Sequence, residues 1–177
     1  ESPDTAVHIL LDSSGSMTDS GLMFANAVCY AVGKALQGIS GVNLGITAFP
    51  GANAAKRGAT VVPVLRHGEK LTARFPEIAY GMTPMAESLW WVMQQMCLLR
   101  ENRKIILIIT DGEPDSIPAA QEAFKQAQKK GFECYGLGIM CSNIATLLPH
   151  TSRVIETLPQ LAPALFELLE GALRRKA

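Results

Sequence analysis

The sequence predicts an α/β domain with a doubly wound, mostly parallel six-stranded sheet, one antiparallel edge strand and helices on both faces. Three observations predict it. Short apolar runs alternate with longer segments of helical periodicity along the 177 residues, the pattern of strands joined by crossover helices. Several runs, Ile105–Ile109 among them, are continuous in apolar residues, as strands covered on both faces must be. Hydrophobic residues make up 48% of the chain and charged residues 18%, which suits a packed core and not a disordered chain.

Taken in order, the first strand is expected over Ala6–Asp12 and the first helix over Leu22–Gln37, an almost wholly apolar stretch interrupted by Asn26, Gly33 and Lys34. A strand over Val42–Phe49 follows, then one over Thr60–Leu65. Only the Gly51–Gly58 loop separates these two. That is too short for a crossover helix, so the later strand is expected to run antiparallel at the sheet edge. A short helix is expected around Leu71–Ala79 and a long one over Ala86–Arg100, where Leu89, Trp90, Trp91, Met93, Met96 and Cys97 have core-like helical spacing. Arg103–Thr110 is a strand, Ala119–Lys130 a helix, Phe132–Met140 a strand, Asn143–Leu148 a short helix and Arg153–Glu156 a strand. In the closing helix, Leu161–Arg175, residues Leu161, Leu165, Leu168 and Ala172 repeat at the spacing of a docking face. No repeat, charge block or linker divides the chain, so residues 1–177 read as a single domain.

Composition excludes several functions. Sixteen basic and sixteen acidic residues give a formal charge of zero, so net charge implies neither nucleic-acid nor anionic-membrane binding. No apolar run approaches the roughly 18 residues of a membrane span. The sequence begins at Glu1 and reads as a domain cut from a longer chain. Cys29, Cys97, Cys134 and Cys141 lie in apolar segments or at a strand end with no CxxC pair; free, mostly buried thiols are expected, with a Cys134–Cys141 disulfide as the alternative. His8, His67 and His150 are scattered, which argues against zinc.

The chemistry gathers at the strand ends. The first strand runs into Asp12-Ser13-Ser14-Gly15-Ser16 and a later one into Thr110-Asp111-Gly112. Open α/β sheets place their ligands at the carboxyl ends of central strands. Between the two in sequence, Gly81-Met82-Thr83-Pro84 precedes a helix, and a proline in the first helical turn would place Thr83 near the cap. Hydroxyls and carboxylates without thiolate or imidazole suit Mg²⁺ or Mn²⁺. A purely structural role is also physically available, with Asp12 and Ser14 capping a turn and Asp111-Gly112 opening a loop.

These three segments, in this order and at this wide spacing, resemble the metal-ion-dependent adhesion site of von Willebrand factor A domains, and the strand–helix alternation agrees with that Rossmann-like fold. The resemblance implies that Ser14, Ser16 and Thr83 offer hydroxyl oxygens to a Mg²⁺ or Mn²⁺ ion, while Asp12 and Asp111 act directly or through water. A carboxylate from a protein partner would complete the ion's shell. The segments Gly81–Trp90 and Asp111–Asp115 look like intracellular A domains of the cobaltochelatase and magnesium-chelatase type, which implies a non-enzymatic module in an assembly with an AAA-plus ATPase and a cytoplasmic setting.

Residues 20–68 carry no Asp or Glu but include Lys34, Lys56, Arg57 and Arg66. Lys56 and Arg57 are expected at the rim of the site, where they could steer an acidic partner or simply keep a loop soluble; Glu113 and Asp115 belong to the same rim. The competing function is a metal-assisted hydrolase or phosphatase using Asp12 or Ser14. Against it, no histidine falls in a catalytic motif, and neither GxSxG nor a P-loop GxxxxGK[ST] is present.

Overall fold

The computed structural model describes residues 4–51 and 60–175. Six strands form one sheet in the order β3-β2-β1-β4-β5-β6, with β1 at Thr5–Asp12, β2 at Val42–Phe49, β3 at Val62–Leu65, β4 at Arg103–Thr110, β5 at Glu133–Ile139 and β6 at Ser152–Ile155. All neighbours are parallel except β2 and β3, which pair antiparallel at the edge. The five α-helices described are α1 (Asp19–Gln37), α2 (Met85–Cys97), α3 (Ile117–Lys129), α4 (Asn143–Leu147) and α5 (Leu161–Arg174).

Strand alternation sorts the core into two layers. Val7, Ile9 and Leu11 of β1 face α1 and α5. Ala6 and Leu10 face the side of α2, α3 and α4. On α1, Leu22, Ala25, Cys29, Gly33 and Leu36 are buried at intervals of three and four, the stripe that turns one helical face to the sheet. At the edge opposite the Asp-bearing loops, Arg103 joins β4, β5 and α5. Its Nε and one terminal nitrogen donate to the two Glu133 carboxylate oxygens at 2.8 Å each, and that nitrogen also donates to the Ala172 carbonyl at 2.9 Å.

Three sequence expectations shift. No helix forms over Leu71–Ala79. Pro76 disfavours helical geometry at the residue before it, and side chains of α1 capture the backbone instead: Gln37 Oε1 accepts from Leu71 N, Lys34 Nζ donates to Leu71 O and Asn26 Nδ2 donates to Pro76 O. Helix α1 begins three residues early because Thr18 caps it, its hydroxyl accepting from Gly21 N at 3.2 Å. On α2, Leu89, Val92, Met93 and Met96 are buried, but Trp90 and Cys97 are exposed. None of the described helices is long and apolar enough to cross a membrane.

A polar pair lies inside the α2 side of the sheet. His8 Nδ1 and His67 Nε2 share a proton at 2.9 Å, and His8 Nε2 meets Thr47 Oγ1 at 2.7 Å. Gly45 makes the room. A β-carbon there would stand 2.5 Å from His8 Nδ1 and from His67 Nε2. Burial, with the His67 charge added, holds His8 well below its ordinary value of 6.5, and burial lowers His67 as well.

Because both imidazoles titrate lower in the folded chain, the unfolded chain takes up protons first as pH falls. Their contribution is therefore complete above about pH 6.5 and is lost progressively below it. Urea midpoints should be level between about pH 8 and 7 and decline under 6.5, with a shallower decline in His8→Gln. A His8→Gln profile parallel to that of the parent would refute this.

All four cysteines are free. Burial pushes the Cys29 and Cys134 thiols up to about 12, and only Cys97 is exposed. A thiol reagent should modify Cys97 alone in the native chain and all four after denaturation without reductant. Recovery of two thiols on denaturation would contradict it.

Candidate metal centre

Parallel pairing of β1 and β4, with Leu11 beside Ile109, brings Asp12 and Asp111 to one edge of the sheet. Asp12 is fully buried and committed on both oxygens: Oδ1 accepts from Ser14 N at 2.8 Å and Oδ2 from Thr110 Oγ1 at 2.7 Å. Thr110 also accepts from Gly112 N at 3.2 Å, so one hydroxyl holds both the carboxylate and the following turn. The Ser14 and Ser16 hydroxyls stand 3.1 Å apart, and Ser16 Oγ donates to Asp111 Oδ1 at 2.7 Å. A β-carbon on Gly112 would lie 3.4 Å from Ser16 Oγ and 3.9 Å from Thr83 Oγ1. The two hydroxyls therefore open on the same space.

The loop bearing Thr83 is fastened at several points. Thr83 N donates to Asp115 Oδ1 at 2.8 Å, and its carbonyl accepts from Asp115 N at 3.0 Å and Met85 N at 2.8 Å. Just upstream, Gly15 N donates to Gly81 O at 3.1 Å. Gly81 adopts φ +79, and a β-carbon there would press on Pro50 at 3.3 Å, which favours glycine. Pro84 occupies the capping position of α2, one residue earlier than a first-turn proline, and no side chain caps that helix.

The structure thus brings Asp12, Ser14, Ser16, Thr83 and Asp111 together. Asp115 is exposed and also braces Thr83 from behind. Glu113 is exposed. Lys56 and Arg57 lie outside the described residues. Sequence reasoning did not assign a task to Thr110 or to Ser13, whose hydroxyl donates to Phe49 O at 3.1 Å. The signal was present for Thr110, a hydroxyl residue ending an otherwise apolar strand.

Burial raises the Asp12 carboxyl against the opposing pull of its Ser14 and Thr110 hydrogen bonds, and burial likewise raises Asp111 against the Ser16 bond. Two desolvated carboxylates side by side favour a cation. Among the described residues no Lys, Arg or His forms an ion pair with either, and no three His, Cys, Asp or Glu side chains converge. The donors are hydroxyl and carboxylate oxygens, the hard set that divalent Mg²⁺ or Mn²⁺ prefers. Adjacent ligands of an octahedral ion about 2.1 Å from its oxygens stand about 3.0 Å apart, close to the 3.1 Å between Ser14 and Ser16. The residues fit such an ion.

The family model of the von Willebrand factor type A domain matches residues 6–163, and the chain belongs to that family. No curated protein matches it. Among solved structures, proximal thread matrix protein 1 of the mussel byssus, with a zinc-occupied MIDAS motif, superposes with a TM-score of 0.76 at 11% identity over 97% of this chain and 46% of that one. Manganese-loaded TRAP protein of Plasmodium vivax gives 0.71 at 14% identity, covering 93% and 73%. The domain of the type V pilus tip protein Mfa5 of Porphyromonas gingivalis gives 0.74 at 12% identity, covering 99% and 98%. The chain spans about half the length of the mussel protein. At these identities the likeness establishes the fold.

Thr110→Val keeps the side-chain shape and removes the hydroxyl from Asp12 Oδ2 and Gly112 N. It should destabilise the domain by about 1–3 kcal/mol, measured by urea unfolding. An unchanged midpoint would show that Asp12 does not depend on this bond.

Proposed function

We propose that this chain is a non-enzymatic protein-binding module whose docking point is a divalent cation, Mg²⁺ or Mn²⁺, held by Ser14, Ser16 and Thr83 with Asp12 and Asp111. The observation that carries the reading is the meeting of three hydroxyls and two carboxylates from three separate loops with no basic partner described. When bound, the ion supplies a concentrated positive charge to which a carboxylate of a protein partner can add. Asp12 orients the Ser14 loop through its backbone N–H. Asp115 fixes Thr83 from behind, and Asp111 holds Ser16. Few direct carboxylates leave the ion's charge incompletely neutralised, which favours an Asp or Glu from outside.

The metal-loaded structures of similar fold support a divalent ion here, zinc in the mussel protein and manganese in the Plasmodium protein. Free thiols support a reducing, cytoplasmic setting, and work alongside an AAA-plus ATPase in a chelatase-like assembly remains part of the proposal. A hydrolase using Asp12 or Ser14 gains no support. Among the described residues no imidazole hydrogen-bonds either side chain, and His8 and His67 are occupied with each other.

Calorimetry with MnCl₂ and MgCl₂ should give one site of weak affinity, about millimolar, because water must fill the open position without a partner. Asp12→Ala combined with Asp111→Ala should abolish the heat. Chelator should leave the circular dichroism intact, since the core does not depend on the ion. Unchanged metal binding in the double variant would overturn the assignment.

A further inference from the structure

His8 and His67 are 59 residues apart in sequence, yet the fold brings one ring nitrogen of each to 2.9 Å. His8 lies four residues before Asp12 on β1, about 13 Å back along the strand from the oxygen site. The pair lines a cavity of about 210 Å³ together with Trp91, Gln95, Leu99 and Arg66. Hydrogen bonds fix which nitrogens carry protons. The Asn43 amide is oriented by its neighbours, Nδ2 donating to Glu101 Oε1 at 2.8 Å and Oδ1 accepting from Gly68 N at 3.1 Å. His67 Nδ1 faces two acceptors, the Asn43 carbonyl at 3.2 Å and Asn43 Oδ1 at 3.3 Å, so it carries a hydrogen. Nε2 of neutral His67 is then bare and accepts from His8 Nδ1, and His8 Nε2, bare in turn, accepts from the Thr47 hydroxyl at 2.7 Å.

Each imidazole is thus held at its far nitrogen by an oxygen while its near nitrogen is turned to the other ring, the way proteins orient histidine toward a metal. Only one proton stands between the two near nitrogens. Moving it from His8 Nδ1 to His8 Nε2, with the Thr47 hydroxyl turned from donor to acceptor, bares a lone pair on each ring and leaves the pair neutral. Burial keeps both imidazoles below their ordinary value, so the neutral form that binds metal prevails at neutral pH. Nitrogens in adjacent positions of an octahedral or square-planar ion, about 2.0–2.1 Å from it, stand about 2.9 Å apart, against about 3.4 Å around a tetrahedral one. The observed 2.9 Å matches the right-angle geometry. The cavity supplies room for water in the remaining positions. Behind His67, Glu101 Oε2 has no hydrogen-bond partner among the described residues, a carboxylate whose charge offsets that of a cation. Arg66 is exposed, so water screens its charge.

We propose that His8 and His67 form a second metal site, separate from the oxygen site, that takes a divalent transition-metal ion of the Ni²⁺ or Cu²⁺ kind through two imidazole nitrogens at right angles, with water in the cavity completing its shell. Imidazole donors favour these ions over Mg²⁺, so the two sites sort their metals by ligand chemistry. The second ion ties the segment after β3 to β1. This site does not depend on the proposed binding function of the first.

The test titrates NiCl₂ into the whole chain in excess MgCl₂ and follows the imidazole signals by NMR. The chain has three histidines, and the exposed His150 is the internal reference. Paramagnetic Ni²⁺ should broaden the His8 and His67 signals at one equivalent and leave those of His150 sharp. Calorimetry under the same conditions should give one Ni²⁺ site, lost in His67→Gln and weakened about tenfold or more in Thr47→Val, which keeps the side-chain shape but removes the oxygen that orients His8. Asp12→Ala combined with Asp111→Ala should bind Ni²⁺ as the wild type does. Equal broadening of all three histidines, sharp His8 and His67 signals, or unchanged Ni²⁺ affinity in His67→Gln or Thr47→Val would overturn the site. Loss of Ni²⁺ binding in the double aspartate variant would show that nickel enters the oxygen site and would overturn it as well. Should His67→Gln fail to fold, the wild-type NMR titration decides by the same criteria.

Discussion

The buried Asp12 carboxylate is the bond on which the functional edge of this domain depends. One oxygen receives Ser14 N from its own loop, and the other receives the Thr110 hydroxyl from β4. A desolvated carboxylate is costly unless its lone pairs are met. These two donors therefore fasten the ends of β1 and β4 to each other and fold the Ser14–Ser16 turn back over the gap. Ser16 then reaches Asp111, which closes the link from the other side.

The gap itself is a consequence of topology. From β1 the sheet grows toward β2 and β3 on one side and toward β4, β5 and β6 on the other. The connections after β1 and β4 leave toward opposite faces, since α1 packs on one side and α3 on the other. Such a switch point opens a crevice at the carboxyl ends of the strands. The third loop enters that crevice from the β3–α2 connection, held by Asp115 behind Thr83 and by the Asp12–Ser16 loop beneath Tyr80 and Gly81. The same fastening that aims the Thr83 hydroxyl inward leaves Ile78, Tyr80 and Met82 outside.

Farther back along β1, a second polar group is satisfied by other side chains of the fold. His8 sits in a strand otherwise suited to aliphatic residues, and its two nitrogens are taken by His67 and Thr47. Gly45 permits the approach. Asn43 meets His67 Nδ1 through its own carbonyl at 3.2 Å and meets Glu101 through its amide at 2.8 Å. A closed network of this kind specifies where the edge segment after β3 lies on the sheet. It also makes that packing sensitive to acid, since a proton added to either imidazole has no described carboxylate in direct contact.

Much of this molecule was legible in the sequence because the relevant signals are local. Continuous apolar runs mark strands covered on both faces, and the short loop after Phe49 admits only an antiparallel edge. The carboxylates and hydroxyls at Asp12–Ser16, Thr83 and Asp111 announce themselves by following such runs or by preceding a helix. What needed the tertiary structure is whatever depends on partners distant in sequence. Leu71–Ala79 has passable helical spacing but is extended along α1, because Asn26, Lys34 and Gln37 meet its backbone across 34 to 50 residues. That Asp115, an exposed charge, also holds the Thr83 backbone shows only once the two loops are seen side by side. The outward turn of Trp90 depends on which arc of α2 the sheet covers. Periodicity tells which residues share a face, and only packing decides how wide that buried face is and which backbone groups find a side chain in place of a helical turn.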